Sequence, residues 1–415
     1  MAGDGTAGDG TAGDGTTPAA RLVVLIPAHD EAATIGTTLD ALQRQTRRPD
    51  RVVVVADNCT DDTARIARER GAEVYETVGN TDKKAGALNQ AIVARFRRTA
   101  TSDRRGTSED PRRGPDRRRD RAAADPGDDD VPAGPTPDLH DDDLVLVMDA
   151  DTELAPGFLE AAAASLASSP RIGAAGGLFY GHPGAGVLGQ LQRNEYLRYS
   201  RDVSRTGRVM VLTGTGTLFR VRALREVAAA RGTTLPGREG QVYDTLALTE
   251  DNELTLALKT LGWRMTSPAA CSVVTEIMPT WRDLWKQRMR WQRGALENLR
   301  HYGLTRVTVR YWGQQVGIGL GVLAFQAYLL LTVLVLLRDG APHLDRFWAA
   351  VGLVFLAERL VTVRRGGAWA LLLAAPLVVE LAYDLFIQAV FVRSLADVVR
   401  RREATWHHVA APAAG

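Results

Sequence analysis

Cysteine is almost missing from this chain. Cys59 and Cys271 are the only two among 415 residues, too few for a disulfide framework, and both flank strand-like runs in a region that reads as reduced and cytoplasmic. An electrostatic bias is missing as well: 51 basic against 49 acidic residues leave a net charge of +2, so basic residues matter only where they cluster. Aromatics are 6% of the chain and hardly occur in the Arg-rich stretch near residues 97–121, which removes the stacking platforms a nucleic-acid surface needs. No nucleic-acid partner is expected. The start has no signal-peptide character, since Ala-Gly-Asp-Gly-Thr repeated three times from Ala2 to Thr16 has neither a basic head nor an apolar centre. Residues 1–20 read as a disordered tail. The first strand-to-helix turn lacks Gly-x-Gly-x-x-Gly, which argues against a nicotinamide or flavin dinucleotide site.

What is present divides the chain. A length of 415 residues exceeds one ordinary core. Leu22-Val23-Val24-Leu25-Ile26 and Val52 to Val55 are continuous apolar runs of the kind buried on both faces of a sheet. Helical periodicity over Thr34–Gln45 and Thr63–Arg70, strand character over Glu73–Val78, a helix over Lys84–Arg95 and a further apolar run, Leu144–Met148, complete an alternating pattern. Such alternation predicts a mostly parallel sheet wrapped by helices, here one domain over residues 21–275. Residues 97–143, Arg-rich and then Asp-rich with Pro and Gly throughout, read as a disordered insertion.

Long apolar runs are confined to the C-terminal part. Val316–Leu337 has no charged residue and is long enough to span a bilayer. Phe347–Val363, with Glu358 and Arg359, and Ala368–Val392, with Glu380 and Asp384, are further candidates, giving two to three membrane helices over residues 306–395. Ionisable groups at that depth face protein or water, and Glu380 and Asp384, four apart on one helical face, are set to pair with Arg359. Three crossings would leave Arg393 and Arg400–Arg402 of the 396–415 tail outside, against the positive-inside bias, whereas a re-entrant or interfacial segment would not. Just ahead, within residues 276–305, Arg282, Lys286, Arg290 and Arg293 follow helical spacing, with Leu284, Trp285, Met289 and Leu296 on an apolar side. This is the pattern of an amphipathic helix at a membrane interface.

Three expected strands end in acidic groups: Asp30-Glu31, Asp57 and the pair Asp149, Asp151. Residues two apart leave a strand on the same face, here at the carboxyl edge where open α/β sheets bind ligands. Two carboxylates so close call for a cation, and Mg²⁺ takes one or two carboxylates plus phosphate oxygens. A solvated strand end is the plainer account of Asp-x-Asp alone. Asp61 and Asp62 are placed to cap the helix near Thr63. Glu250 and Asp251 precede the pattern Leu254, Leu256, Leu258, Leu261, either as caps or with one serving as a general base.

Together these motifs resemble the processive family 2 glycosyltransferases, among them cellulose, hyaluronan, chitin and poly-N-acetylglucosamine synthases. The resemblance covers residues 21–300 and rests on six motifs in family order: Pro27-Ala28-His29-Asp30-Glu31, Asp57-Asn58-Cys59, Lys84-Ala85-Gly86-Ala87-Leu88-Asn89, Asp149-Ala150-Asp151, Thr249-Glu250-Asp251 and Gln287-Arg288-Met289-Arg290-Trp291. It implies a GT-A fold using a nucleotide diphosphate sugar and a divalent cation, Mg²⁺ or Mn²⁺. Pro27, Ala28, Glu31 and Asp57 would lie at the nucleoside, with Lys84 and Asp149 near the nucleotide and diphosphate. Asp151, with Asp149, would hold the metal. Asp251, beside Glu250, would be the base. Gln287 and Arg290 would hold donor phosphates, and Trp291 would stack on the acceptor beside the Gly214-Thr215-Gly216 loop.

The expected function is a multi-pass plasma-membrane enzyme with its catalytic domain in the cytoplasm, transferring sugar from UDP-N-acetylglucosamine to a growing β-linked polysaccharide with inversion. So few membrane segments imply that subunits associate, that a partner completes a polymer channel, or that the product is short. Transfer of one sugar to a lipid phosphate carrier, and a non-catalytic membrane scaffold with a GT-A shell, are the two rival expectations.

Overall fold

The computed structural model describes residues 20–96, 139–340 and 346–402. The repeat tail up to residue 19, residues 97–138 of the charged insertion and the tail from residue 403 lie outside the described residues. In chain order the strands are β1 (Leu22–Ala28), β2 (Arg51–Ala56), β3 (Glu73–Glu76), β4 (Leu144–Val147), β5 (Glu153–Leu154), β6 (Ile172–Gly176), β7 (Leu178–Gly181), β8 (Thr217–Arg220), β9 (Arg264–Thr266) and β10 (Ser272–Thr275). The helices are α1 (Ile35–Gln43), α2 (Thr63–Glu69), α3 (Lys83–Phe96), α4 (Phe158–Ala167), α5 (Gly186–Thr206), α6 (Val221–Ala230), α7 (Glu250–Thr260), α8 (Trp281–Tyr302), α9 (Val309–Asp339), α10 (Arg346–Val363), α11 (Gly367–Ala374) and α12 (Leu377–Val399).

A seven-stranded sheet of order β3-β2-β1-β4-β8-β6-β9 forms the centre, and β5, β10 and β7 make a second, three-stranded sheet. All pairings in the large sheet are parallel except those of β8 with β4 and β6. The apolar runs of β1, β2 and β4 are continuous because both sheet faces are covered. Leu22, Val24 and Ile26 pack with Ile35, Leu39, Phe158 and Leu159 on one side. Val23 and Leu25 pack with Leu88, Ile92, Val221 and Leu254 on the other. Each such side chain contributes roughly 1.5–3 kcal/mol when fully buried. Parallel strands bring their carboxyl ends to one edge, so the groups after β1, β2 and β4 share it.

Deeper in the domain, a buried ion pair fixes the approach of α7. Arg231 Nη1 and Nη2 donate to both carboxylate oxygens of Glu253 at 2.5 and 2.7 Å, with the two side chains 0% and 2% exposed. Tyr302 at the end of α8 donates to the same carboxylate, and Arg231 also donates to the carbonyls of Pro236 and Val242. One carboxylate therefore ties together α6, α7, α8 and the intervening loop.

At the C-terminal end, α9 is the one described helix long and apolar enough by itself to cross a membrane. The expected span Ala368–Val392 is two helices: the chain breaks at Pro376, and α10–α11 and α12 meet at 94°. The cause is local, since proline has no N–H to continue the helix. The apolar side of α8 is covered by protein: Leu284 is buried with Leu188, Met278 and Tyr383, Trp285 meets Phe386 edge to face, and Ser394 donates to Met289. Thus α12 runs along α8 from Trp281 beside Tyr383 to Arg293, whose guanidinium donates to the Arg402 carbonyl. The expected pairing at the end of α10 is present: Arg359 donates to Glu380 at 3.2 Å and to Asp384 at 2.7 Å. Arg198 of α5 also pairs with Glu380, at 3.0 Å, which docks these helices on the catalytic domain.

Candidate active site

At the carboxyl edge of β1, β2 and β3, Asp57 is held by a set of hydrogen bonds. Asp57 Oδ1 accepts from Thr77 Oγ1 and Asn80 Nδ2, both at 2.8 Å, and from Asn58 Nδ2 at 3.2 Å. Thr77 and Asn80 follow β3, so the turn after the third strand completes the setting of an acid from the second. Sequence reading missed both, although their place after a strand of the same sheet was the available signal. Pro27 and Ala28 are buried within β1, and the Ala28 carbonyl accepts from the Asp57 N–H and the Cys59 thiol. Glu31 accepts from Thr34 Oγ1 at 2.8 Å, and burial raises its pKa despite that bond. Asp61 Oδ1 accepts from the Thr63 N–H at 2.9 Å, one residue ahead of the N-cap position of α2, which Asp62 holds without a side-chain capping bond.

At the end of β4 the chain places Asp149 and Asp151. Lys84, at the start of α3, donates to Asp149 Oδ1 and lies 3.2 Å from Glu250 Oε1. Although burial opposes it, the charges of Asp149 and Glu250 hold Lys84 protonated. Glu250 is likewise buried, but Lys84, and then Arg290, hold its pKa below the usual range. Asp251 accepts from the Gly214 N–H at 3.1 Å and the Asn252 N–H at 2.7 Å. Burial, then the Glu250 charge, pushes its pKa up to about 6. Thr249 is the N-cap residue of α7, and neither Glu250 nor Asp251 caps it.

Gly214 marks the point where these groups meet. A methyl group there would lie 3.1 Å from Lys84 Nζ, 3.6 Å from Asp149 Oδ2 and 3.7 Å from Asp251 Oδ2. Groups expected from three separate motifs are thus within a few ångströms of one backbone position. Thr215 donates to Thr213 Oγ1 at 2.9 Å.

Asp151 opens onto a cleft of about 530 Å³ that Thr34, His182, Glu276 and Asp283 also line. That volume is in the range of small-ligand sites. Burial, then the charges of Asp149, Glu276 and Glu31, push the Asp151 pKa up to about 7. Glu276, just after β10, was not anticipated, and nothing in its spacing from Asp151 announced it. Accumulated negative charge of this kind suits a hard divalent cation held by carboxylate oxygens. A second acidic group that could hold a metal ion, Asp30, Cys59 and Asp61, brings one ligand atom from each within 4.8 Å of one another.

On α8, Gln287 Oε1 is enclosed with no hydrogen-bond partner among the described residues. Arg290 is exposed, and half-buried Trp291 lies against Arg288, whose guanidinium carbon is 4.4 Å from the ring centre.

The family model described as "Glycosyltransferase like family 2" matches residues 18–294, more than half of the chain. The chain belongs to that glycosyltransferase family. Its architecture is the GT-A-like α/β fold with a mostly parallel sheet. Over 63 residues this glycosyltransferase is 43% identical to the 4,4'-diaponeurosporenoate glycosyltransferase of Staphylococcus aureus (strain USA300), covering 15% of this chain and 16% of that protein. With the poly-beta-1,6-N-acetyl-D-glucosamine synthase of Staphylococcus aureus (strain COL) it shares 23% identity over 301 residues, 70% of this chain and 58% of the synthase. The match thus spans less than two-thirds of either relative.

Among solved structures, the mannosyltransferase PcManGT from Pyrobaculum calidifontis, in complex with GDP-Man and Mn²⁺, aligns with a TM-score of 0.48 at 19% identity, over 92% of this chain and 88% of that one. Glucosyl-3-phosphoglycerate synthase from Mycobacterium tuberculosis, in complex with Mn²⁺, uridine-diphosphate and phosphoglyceric acid, aligns with a TM-score of 0.39 at 17% identity, over 69% and 80%.

Proposed function

We propose that this family 2 glycosyltransferase transfers a sugar, with inversion, from UDP-N-acetylglucosamine to a growing β-linked polysaccharide at a membrane surface. The observation that carries the reading is the convergence of Lys84, Asp149 and Asp251 on Gly214 at the carboxyl edge of the sheet. Asp57 and Glu31, with the end of β1, receive the nucleoside. Lys84, Gln287 and Arg290 take the diphosphate, where the planar guanidinium gives paired, charge-assisted bonds. A diphosphate offers only acceptor oxygens, so Gln287 meets it through its Nε2 amide, while its enclosed Oε1 calls for a hydroxyl or water donor.

Asp149 and Asp151 would hold a divalent cation, which, when bound, stabilises charge on the departing diphosphate. Asp251 accepts the proton of the acceptor hydroxyl. The acceptor oxygen bonds to the anomeric carbon as that carbon's bond to the diphosphate oxygen breaks, so an α-linked donor yields a β-linked product. A carboxylate with a pKa of about 6 is ionised at neutral pH yet basic enough to share a proton in the transition state. Glu250, paired with Lys84, stays ionised beside it and raises its basicity.

For the membrane, we infer that α9 leaves the catalytic side and α10 returns to it, because Arg359 near the end of α10 and Arg198 of α5 in the catalytic domain pair with the same carboxylate, Glu380 of α12. Residue 402 then lies beside α8 on the catalytic side. That placement keeps Arg400–Arg402 with the cytoplasmic domain, in accord with the positive-inside bias, and makes α12 an interfacial helix. A polymer channel would be completed by a second copy or a partner subunit.

Incubating membranes that carry the full chain with a panel of labelled UDP-sugars, and digesting the product with linkage-specific hydrolases, tests the reading. A Mn²⁺- or Mg²⁺-dependent β-linked N-acetylglucosamine polymer is expected. Absence of UDP release with every donor would overturn it in favour of a scaffold. The likeness to a 4,4'-diaponeurosporenoate glycosyltransferase, named for one acceptor molecule, favours single-sugar transfer as the second reading. A product extended by one residue would establish that alternative.

A further inference from the structure

Arg288 lies within the Gln-x-x-Arg-Trp run but outside the charge cluster at Gly214. Its Nη2 donates to Glu195 Oε2 at 3.0 Å, and the Tyr383 hydroxyl donates to the same oxygen at 2.6 Å. One carboxylate on α5 therefore holds a cation of α8 and a hydroxyl of α12. The guanidinium carbon stands 4.4 Å from the Trp291 ring centre and 5.7 Å from that of Tyr196. Arg288 is buried, with 7% of its surface exposed, so it is screened little by water.

We propose that Glu195, Arg288 and Tyr383 are positioning residues for the acceptor: Arg288 covers one face of Trp291 and leaves the opposite face as the platform on which an acceptor pyranose stacks. The inference rests on the reading of Trp291 as an acceptor contact. An indole face attracts a cation within about 6 Å of its centroid, and residues three apart on a helix are neighbours. An arginine alone would sample many rotamers, at an ordering cost of up to about 2 kcal/mol. The charge-assisted bond to Glu195, braced by Tyr383, fixes one of them. The indole plane is thereby set by contacts to α5 and α12, and α12 gains a direct line to the acceptor contact that α8 carries.

The test labels the full chain, in detergent, with 5-fluorotryptophan and assigns the Trp291 ¹⁹F line by its loss in Trp291→Phe. Arg288→Met is expected to shift and broaden that line, and Tyr383→Phe, which leaves Arg288 in place, to shift it less. With the donor that the UDP-sugar panel identifies and its β-linked oligosaccharide as acceptor, Arg288→Met should raise the acceptor KM about tenfold, the scale of one desolvated cation–π contact. The donor KM should stay within about twofold, because no donor contact is touched. An unmoved ¹⁹F line, or donor and acceptor KM rising together, would overturn the inference. Should Arg288→Met not fold, the same readouts on Tyr383→Phe decide. Trp291→Ala separates the two levels: an unchanged acceptor KM there sinks the reading of Trp291 and this inference with it, whereas a raised KM there but not in Arg288→Met sinks the inference alone.

Discussion

Replacing the proposed base should make the protein more stable while disabling it. Burial and the neighbouring Glu250 raise the Asp251 pKa from 3.8 to about 6. At about 1.36 kcal/mol per pKa unit, ionised Asp251 costs the folded state roughly 3 kcal/mol above pH 6. The sign follows from proton binding: between pH 4 and pH 6 the folded state holds the proton and the unfolded state has lost it, so stability falls as pH rises through that window. Asp251→Asn removes the charge but turns one acceptor into an amide donor, facing the N–H of either Gly214 or Asn252, at a cost of about 1–2 kcal/mol. A net gain of about 1–2 kcal/mol at pH 8 remains, shrinking toward pH 4. Chemical-denaturant unfolding of the full chain in detergent at pH 8, 6 and 4 measures it, and donor turnover in the same preparations should fall by about 10²–10⁴. A mutant that is less stable than wild type at pH 8 and still turns over would refute both the buried charge and the base.

Other outcomes follow from the same geometry. The wild-type kcat/KM should drop tenfold per pH unit below a midpoint near 6, set by Asp251; a flat profile to pH 5 would contradict that. Gly214→Ala should cost at most about 1 kcal/mol of stability, because its nearest neighbour is the flexible end of Lys84, yet reduce kcat/KM about 100-fold by displacing groups in the site; melting and turnover separate the two. Asp151→Ala should weaken UDP binding in Mn²⁺ at least tenfold and change nothing in EDTA, as calorimetry would show. Glu253→Ala, by stranding Arg231 in the core, should cost about 3–5 kcal/mol; the double change with Arg231→Met should cost less than the single one, and an additive loss would argue against the pair.

Strands β1, β2 and β4 were legible because a strand covered on both faces must be apolar at every position. Strand β6 was not: Ile172-Gly173-Ala174-Ala175-Gly176 has one β-branched residue, and its burial against β8 and β9 is a tertiary fact. Helix α5 was equally hidden, since it buries Gln190, Gln192 and Asn194 and so breaks the apolar stripe that periodicity detects. The Arg359 pairing could be read because Glu380 and Asp384 sit four apart on one helix. The cover over α8 could not, because an apolar side reads the same whether lipid or α12 lies on it. At the site, the acidic strand ends were visible in sequence order. Glu276, Thr77, Asn80 and the Glu195–Arg288 contact were not, as each joins the site through sheet closure or across 93 residues of chain.

One nucleotide diphosphate should bind where the carboxyl ends of β1, β2 and β4 face α8. A cryo-electron microscopy map of the full chain with UDP and Mn²⁺ tests it most directly. The uracil is expected beside Asp57, the metal against Asp151, and the diphosphate between Lys84 and the Gln287–Arg290 turn of α8. Nucleotide density elsewhere, or a metal held away from Asp149 and Asp151, would contradict it.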